Sequence, residues 1–413
     1  MNIDPKLRGE AQLRVLMSVQ PAISHATQVI PLARELERRR HVVTLATSAP
    51  LAATLRRHGL DARPIGPDRI LRLDDPVWNR TIGQHGFRGF VQIPDRSSLD
   101  DLVDLAHHTG AQLMLREYTE FGGWAVAQRL GIPLVTQGIV HRLPRAVEAQ
   151  AVESAADLAR LARIDAPQDG DELLGSAYLD PVPPSLRCAW EHHRGLTHVA
   201  RPSLFDGSMG EAAPPWVEAM GRERPLIYVT LGNIFTNSPA VWRAVLIALS
   251  ALDVDALVTT GLDSDPTGLG APPANVRIER YIPQSHVLSR CTAVVCHAGF
   301  NTVMGALSHG RPLLCLPLGA DQPINAMCAA SSGAGINGAN APAEDVRGPM
   351  VDPEKLDPDQ IATAIMRLTS EPAFTDAAAR LRREIQAMPG PSETVRTLEA
   401  LVTVDTEAQR PAA

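Results

Sequence analysis

Residues 293–326 read AVVCHAGFNTVMGALSHGRPLLCLPLGADQPINA. The stretch opens with a short apolar run containing β-branched residues, Ala293 to Cys296. His297 and Gly299 follow, and Asn301 and Thr302 stand at the start of a helical pattern. A second apolar run, Pro312 to Pro317, delivers Asp321 and Gln322. The order is strand, turn, helix, strand, polar loop. A helix start presents unpaired backbone N–H groups and the positive end of the helix dipole, which suits a pyrophosphate. Asp and Gln beyond the next strand suit the hydroxyls of a sugar.

The alternation continues on both sides. Toward the N-terminus, strands are expected at Arg14–Ser18, Val42–Ala46, Leu113–Arg116 and Leu134–Gln137. Helices are expected at Ala26–Arg40, Leu51–His58, Leu99–His107, Phe121–Leu130 and Ala146–Arg163. Residues 61–98 read as irregular. After a Gly-, Pro- and acid-rich linker near 207–224 a second series begins. Its strands are expected at Leu226–Leu231, Ala256–Thr260, Val276–Tyr281 and Ala293–Cys296. Its helices are expected at Val241–Ser250, Asp357–Leu368, Asp376–Ala387 and Ser392–Val402. Strands alternating with helices imply parallel sheets covered on both faces. The expected organisation is α/β, with a domain over 1–208, a second over 209–390, and a C-terminal helix and tail over 391–413 packing back on the first.

Composition narrows the classes. A chain of 413 residues argues for two domains, and 45% hydrophobic residues suffice for substantial cores. A net charge of −7 leaves no basic footprint for nucleic acid. The five cysteines show no CxxC spacing and read as buried free thiols rather than disulfides or metal ligands. No apolar run approaches the roughly 20 residues needed to span a bilayer, and no signal peptide is visible, so a soluble, cytoplasmic protein is expected.

The box from His297 to Gln322 resembles the donor-binding element of nucleotide-sugar-dependent glycosyltransferases of the GT-B fold. The similarity is to the bacterial antibiotic and natural-product enzymes of the calicheamicin and macrolide type. GT-B implies two Rossmann-like domains facing across a cleft, with the donor on the second and the acceptor on the first. The resemblance assigns His297, Gly299, Asn301 and Thr302 to the pyrophosphate, and Asp321 and Gln322 to sugar hydroxyls. Leu231-Gly232-Asn233 stands where relatives carry Gly-Ser or Gly-Thr in a tight turn against the ligand. Tyr281-Ile282-Pro283-Gln284 matches an aromatic-x-Pro-Gln element, implying base contact at Tyr281 and ribose or base contact at Gln284. No metal or further cofactor is required in this reading. Many UDP-using relatives carry a Glu eight positions after the histidine, where this chain has Gly305. That departure favours a dTDP-sugar over a UDP-sugar.

In the first half, Ser24-His25 stands where relatives carry Gly-His, and Gln28 where they carry Pro. Arg39-Arg40-His41 replaces the usual Arg-Gly-His. The resemblance makes His25 the general base, oriented by Glu117, in an inverting displacement. A helix N-terminus would keep its ring neutral. Trp78, His85, Phe87, Phe90 and Trp124 are candidate walls for a small hydrophobic acceptor such as a polyketide or enediyne-type aglycone. Other readings are a UDP-sugar-dependent transferase, a nucleotide-sugar epimerase, and a catalytically degenerate auxiliary protein that binds nucleotide or aglycone. Aglycone and sugar identity are not legible; a homodimer is compatible with the sequence.

Overall fold

Strands β1 (Arg14–Ser18), β4 (Leu113–Glu117) and β8 (Leu226–Thr230) are buried along nearly their whole length. Near-continuous burial is the mark of parallel strands covered by helices on both faces. The computed structural model describes residues 12–68, 70, 88–91, 93–188, 190, 196–202, 205–207, 211–262, 264–343 and 348–408. Its remaining strands are β2 (Val42–Thr47), β3 (Ala62–Pro64), β5 (Leu134–Gln137), β6 (Ala177–Asp180), β7 (Thr197–Val199), β9 (Asp255–Thr259), β10 (Val276–Glu279), β11 (Ala293–Cys296), β12 (Leu313–Cys315) and β13 (Gly335–Asn337).

They form two wholly parallel sheets. The first has the order β3-β2-β1-β4-β5-β6-β7, the second β10-β9-β8-β11-β12-β13. In each sheet the order reverses beside the first strand, between β1 and β4 and between β8 and β11. Open α/β sheets bind ligands at the carboxyl ends of the strands at such switch points. His25 and Glu117 lie at one of these places and His297 at the other.

The halves are not independent. One apolar cluster joins Tyr118, Ile139 and Leu186 of the first half to Val294, Phe300 and Ile324 of the second. The C-terminal helix Pro391–Ala408 returns to the first half, where Val395, Leu398 and Val402 share a core with Val15, Met17 and Ala33. Glu399 on that helix accepts two bonds from Arg39, 2.8 and 2.7 Å, and lies 2.8 Å from His41 Nε2. Burial works to raise the Glu399 carboxyl, but these partners outweigh it and hold the group below its ordinary range. Where the chain leaves and re-enters the first half, Arg201 binds both passages. Its N–H donates to Pro389 O at 2.8 Å, and its guanidinium to Gln386 O and Met388 O.

Residues 61–98, expected to be irregular, hold β3, the short helix Arg88–Val91 and the start of the helix Arg96–Thr109. Three further expectations change. The first helix runs Ile23–Arg38, not from Ala26, so Ser24 and His25 lie in its first turn. Their polarity hides them from an apolar-spacing argument. Glu117 is the last residue of β4 rather than the residue after it. Cys188 and Cys328 form a disulfide with Cα atoms 6.2 Å apart, correcting the reading of five free thiols. The two lie in opposite halves, so no local spacing marks the pair. Cys291, Cys296 and Cys315 are free and buried. No described helix is long and apolar enough to cross a membrane.

Candidate functional site

The first-half wall of the cleft is built around a buried carboxylate. Glu117 is fully buried, and its Oε1 lies 3.1 Å from His25 Nδ1. Its Oε2 accepts the Thr119 N–H at 2.7 Å, while Oε1 accepts the Thr119 hydroxyl at 2.7 Å and the Gln20 N–H at 3.3 Å. Burial alone would raise this carboxyl. The His25 ring and the Thr119 donors outweigh it, so the group sits below its ordinary value and stays ionised near neutrality. A carboxylate can only accept, so Nδ1 of a neutral His25 carries the ring proton and Nε2 is left as the base. The His25 side chain is 16% exposed, which leaves the ring reachable from the cleft.

The turn that presents Glu117 is held from beneath by Arg116, which is completely buried. Its guanidinium donates to the carbonyls of Glu117, Tyr118, Glu120 and Leu173 and stacks 4.8 Å from the Phe121 ring centre. Burial lowers it to about 10, with the charges of Glu120 and Glu117 opposing, so it remains a cation at neutral pH. Glu120 accepts from Ser18 Oγ and from the backbone N–H groups of Gly122 and Gly123; burial still raises its carboxyl. Sequence reasoning missed Arg116, Thr119 and Glu120. Arg116 closes an apolar run in the sequence, and nothing local marks it as buried.

The opposite wall is the turn after β11. The His297 ring lies between two glycines. A Cβ at Gly232 would stand 2.8 Å from its Cε1 and Nε2, and one at Gly299 would overlap Nε2. Gly232 has φ +73°, a left-handed conformation that L side chains rarely adopt. Burial lowers the His297 ring to about 4, with the Thr230 backbone opposing, so the ring is neutral at pH 7. Its Nδ1 is buried without a hydrogen-bond partner among the described residues. Ala298 at φ 64° and Ala320 at φ 54° hold left-handed conformations in the two ligand-side loops, strain of the kind that concentrates at functional turns.

The helix Phe300–Ser308 starts directly after this turn, capped by Gly299 with no side-chain cap bond. Gln284 Nε2 donates to Thr302 Oγ1 at 3.3 Å. A Cβ at Gly305 would meet Leu288 Cδ1 at 3.1 Å and Gln284 Oε1 at 3.5 Å, so Gln284 lies over Gly305. Asn325 donates to Asp321 Oδ2 at 2.7 Å and to Ala298 O at 2.8 Å, joining the two loops. Burial raises the Asp321 carboxyl, while the Asn325 bond and the nearby His141 and His25 act to lower it. Gln322 Oε1 accepts from the Leu318 and Gly319 N–H groups and fixes its own loop. Asn233 Oδ1 accepts from the Leu262 N–H at 3.3 Å.

The structure gives Asn301 a partner that the sequence did not suggest. Its amide reaches across the cleft to Ser24 O at 3.0 Å and Thr27 Oγ1 at 3.3 Å, and its Oδ1 accepts from Gln28 Nε2. This side chain, expected at the pyrophosphate, forms a clasp on the helix that carries His25. Tyr281 is 39% exposed and donates its hydroxyl to Asp206 O. Phe90 stands beside the His25 ring, centroids 6.1 Å apart. Trp124 is 2% exposed in the core under the first sheet, which removes it from the acceptor wall. Trp78, His85 and Phe87 lie outside the described residues.

Residues 243–401 match the family model described as erythromycin biosynthesis protein CIII-like, C-terminal domain. TDP-daunosamine transferase DnrS of Streptomyces peucetius is 27% identical, over 94% of this chain and 97% of its own length. Among solved structures, spinosyn forosaminyltransferase SpnP is 25% identical with a TM-score of 0.77, covering 95% of this chain and 100% of that one. Glycosyltransferase VinC in complex with dTDP has a TM-score of 0.76 at 24% identity, with the same coverage. Residues 243–401 thus resemble the erythromycin CIII-like C-terminal domain, and the chain as a whole has the GT-B fold and is similar along its length to antibiotic-type glycosyltransferases.

Proposed function

We propose that this chain is an inverting glycosyltransferase that moves a deoxysugar from a dTDP-linked donor to a hydroxyl of a small hydrophobic natural product. The observation that carries this reading is the pairing of two walls. A histidine oriented by a buried carboxylate stands on one wall and a glycine-flanked histidine at a helix start on the other, and Asn301 clasps one wall to the other.

His25 Nε2 removes the acceptor hydroxyl proton as that oxygen attacks the anomeric carbon. Glu117 stabilises the imidazolium that forms. The leaving diphosphate is met by the N-terminal N–H groups of the Phe300–Ser308 helix, by Thr302 and by His297, whose orphaned Nδ1 and neutral ring favour a hydrogen-bonding role over a charge-pairing one. These groups supply the stabilisation without a metal. Asp321 and the amide of Gln322 face the sugar. Single displacement inverts the anomeric centre. Phe90 lines the acceptor side.

Support for dTDP comes from Gly305, where a carboxylate that would hold both ribose hydroxyls is missing and Gln284 fills the space. The printed names of DnrS (a TDP-sugar transferase) and of the VinC–dTDP complex agree in donor class. Calorimetric titration with dTDP and UDP side by side tests the donor. Tighter dTDP binding is expected; equal or tighter UDP binding overturns that part. A donor-plus-acceptor screen followed by His25→Ala tests the chemistry. Loss on the order of 10²- to 10⁴-fold is expected, and unchanged turnover removes His25 as the base.

A further inference from the structure

Behind the donor wall the two halves are joined covalently by residues the transfer reaction does not use. Cys188 follows the short turn Pro184–Leu186 of the first half, and Cys328 lies on the second-half helix Gln322–Ser331. Arg187 pairs with the buried Asp180 at the end of β6 at 2.8 Å, so the Cys188 segment is anchored to its sheet. The Cys328 helix is anchored to the donor site. Asp321 immediately precedes it, and Asn325, one turn before Cys328, binds Asp321 and Ala298 beside His297.

His141 completes the group. It is 1% exposed, its Nδ1 lies 3.9 Å from Cys188 Sγ, and its ring meets Phe300 edge-on with centroids 5.9 Å apart. An imidazole at that place can take a thiol proton and favour the nucleophilic thiolate. Among the described residues these three are also the side chains whose ligand atoms converge closely enough to hold an ion.

We infer that Cys188 and Cys328 form a reversible thiol–disulfide site that locks the donor wall to the first half. A protein expected in a reducing compartment uses such a bond as a redox response rather than a permanent staple. The co-reactant is a low-molecular-weight disulfide. The Cys188 thiolate attacks one of its sulfurs, the reagent S–S bond breaks, and one small thiol leaves. The Cys328 thiolate then attacks Cys188 Sγ and expels the second small thiol. Two protein S–H bonds and one reagent S–S bond are lost, and one protein S–S bond and two reagent S–H bonds are gained. Two electrons pass to the reagent, and a dithiol reductant reverses the sequence. Both cysteines are under one-tenth exposed, so exchange requires the halves to part.

This inference goes beyond the proposed transfer reaction and is tested on the full wild-type chain. After oxidised glutathione, unfolding and alkylation should modify three cysteines (five less the bonded two); after dithiothreitol, all five. Oxidation should slow dTDP dissociation by at least about fivefold in stopped-flow measurements, and the difference should vanish in Cys188→Ala and Cys328→Ala. It should also slow amide exchange in residues 322–331, a readout that needs neither nucleotide nor a variant. Five alkylated cysteines after oxidation would overturn the inference. So would one equivalent of zinc in the reduced protein that both variants lose, since the trio would then be a metal site. A bond that forms without changing exchange or dissociation would overturn the lock. Absence of dTDP binding in both redox states would count against the donor assignment, with the alkylation count still deciding the bond.

Discussion

Replacing Glu117 with Gln asks whether this carboxylate acts by setting the His25 tautomer. The amide must place one oxygen and one NH2 where two carboxylate oxygens now stand. Oε2 faces the Thr119 backbone N–H at 2.7 Å and Oε1 the Gln20 backbone N–H at 3.3 Å; neither donor can be inverted, so the amide oxygen belongs at the shorter contact, on the Thr119 side. The NH2 then falls at the Oε1 position, 3.1 Å from His25 Nδ1. An N–H donor in that place, with the Thr119 hydroxyl 3.1 Å from Nδ1 turned to donate as well, makes Nδ1 an acceptor and moves the ring proton to Nε2. The base is then blocked, although the side chain keeps its shape. The same wrong-tautomer change in a Ser-His-Asp triad costs about 10⁴ in kcat, or ~5.5 kcal/mol of barrier. For Glu117→Gln we expect a kcat loss of that order at saturating donor and acceptor. The dTDP affinity should be unchanged, because the nucleotide site proposed above lies on the other wall. Stability supplies a control with a definite sign. The Glu117 carboxyl is held below its ordinary value, so its contribution is present above the unfolded carboxylate range and is lost as pH falls through the folded value. The stability gap between wild type and variant should therefore close in acid. A variant that keeps a tenth or more of wild-type kcat would refute the tautomer argument, and so would a parallel loss of dTDP binding.

Three further perturbations follow from the same geometry. The His297 ring, lowered from 6.5 to about 4, is neutral when folded and binds a proton more readily when unfolded, so its contribution falls as pH drops through that interval. The stability gap between wild type and His297→Gln should shift by about 3 kcal/mol between pH 7 and pH 4 in urea unfolding; a constant gap would contradict the burial account. Asn301→Ala removes the clasp on the His25 helix and should lower kcat by about tenfold, the worth of one to two hydrogen bonds, with dTDP affinity by calorimetry within about twofold of wild type. A larger loss of dTDP affinity than of kcat would return Asn301 to the pyrophosphate. Arg40 holds φ 70° at the close of the first helix, so Arg40→Gly should add about 1 kcal/mol in urea unfolding; no gain would show that Arg40 is not strained.

The sheets were legible because buried parallel strands are short apolar runs, and Leu226 to Leu231 and Ala293 to Cys296 leave little else to choose. The placement of His297 was legible for the same reason, since a polar residue ending such a run must lie at the ligand edge. The start of the first helix was not. Ser24 and His25 are polar for the sake of the cleft and break the apolar register that reveals a helix. Partnerships across the halves were equally hidden. Asn301 meets Ser24 and Gln28 only after both sheets have formed, and Cys188 meets Cys328 across a sequence separation of 140. Arg116 reads as an ordinary strand-end charge until the turn it supports has wrapped around it.

The return of the C-terminal helix changes what a domain means in this chain. The first half is completed by the strand Arg14–Ser18 and by the helix Pro391–Ala408, and the second half is an insertion within it, leaving and returning through passages that Arg201 pins side by side. Two adjacent passages constrain such an insert more than a single tether would. For exchange of donor halves between relatives, the natural cuts lie near Arg201 and Pro389, with the final helix kept by the recipient. A chimera joined by a single cut near residue 208 would import a foreign helix into the recipient's acceptor core.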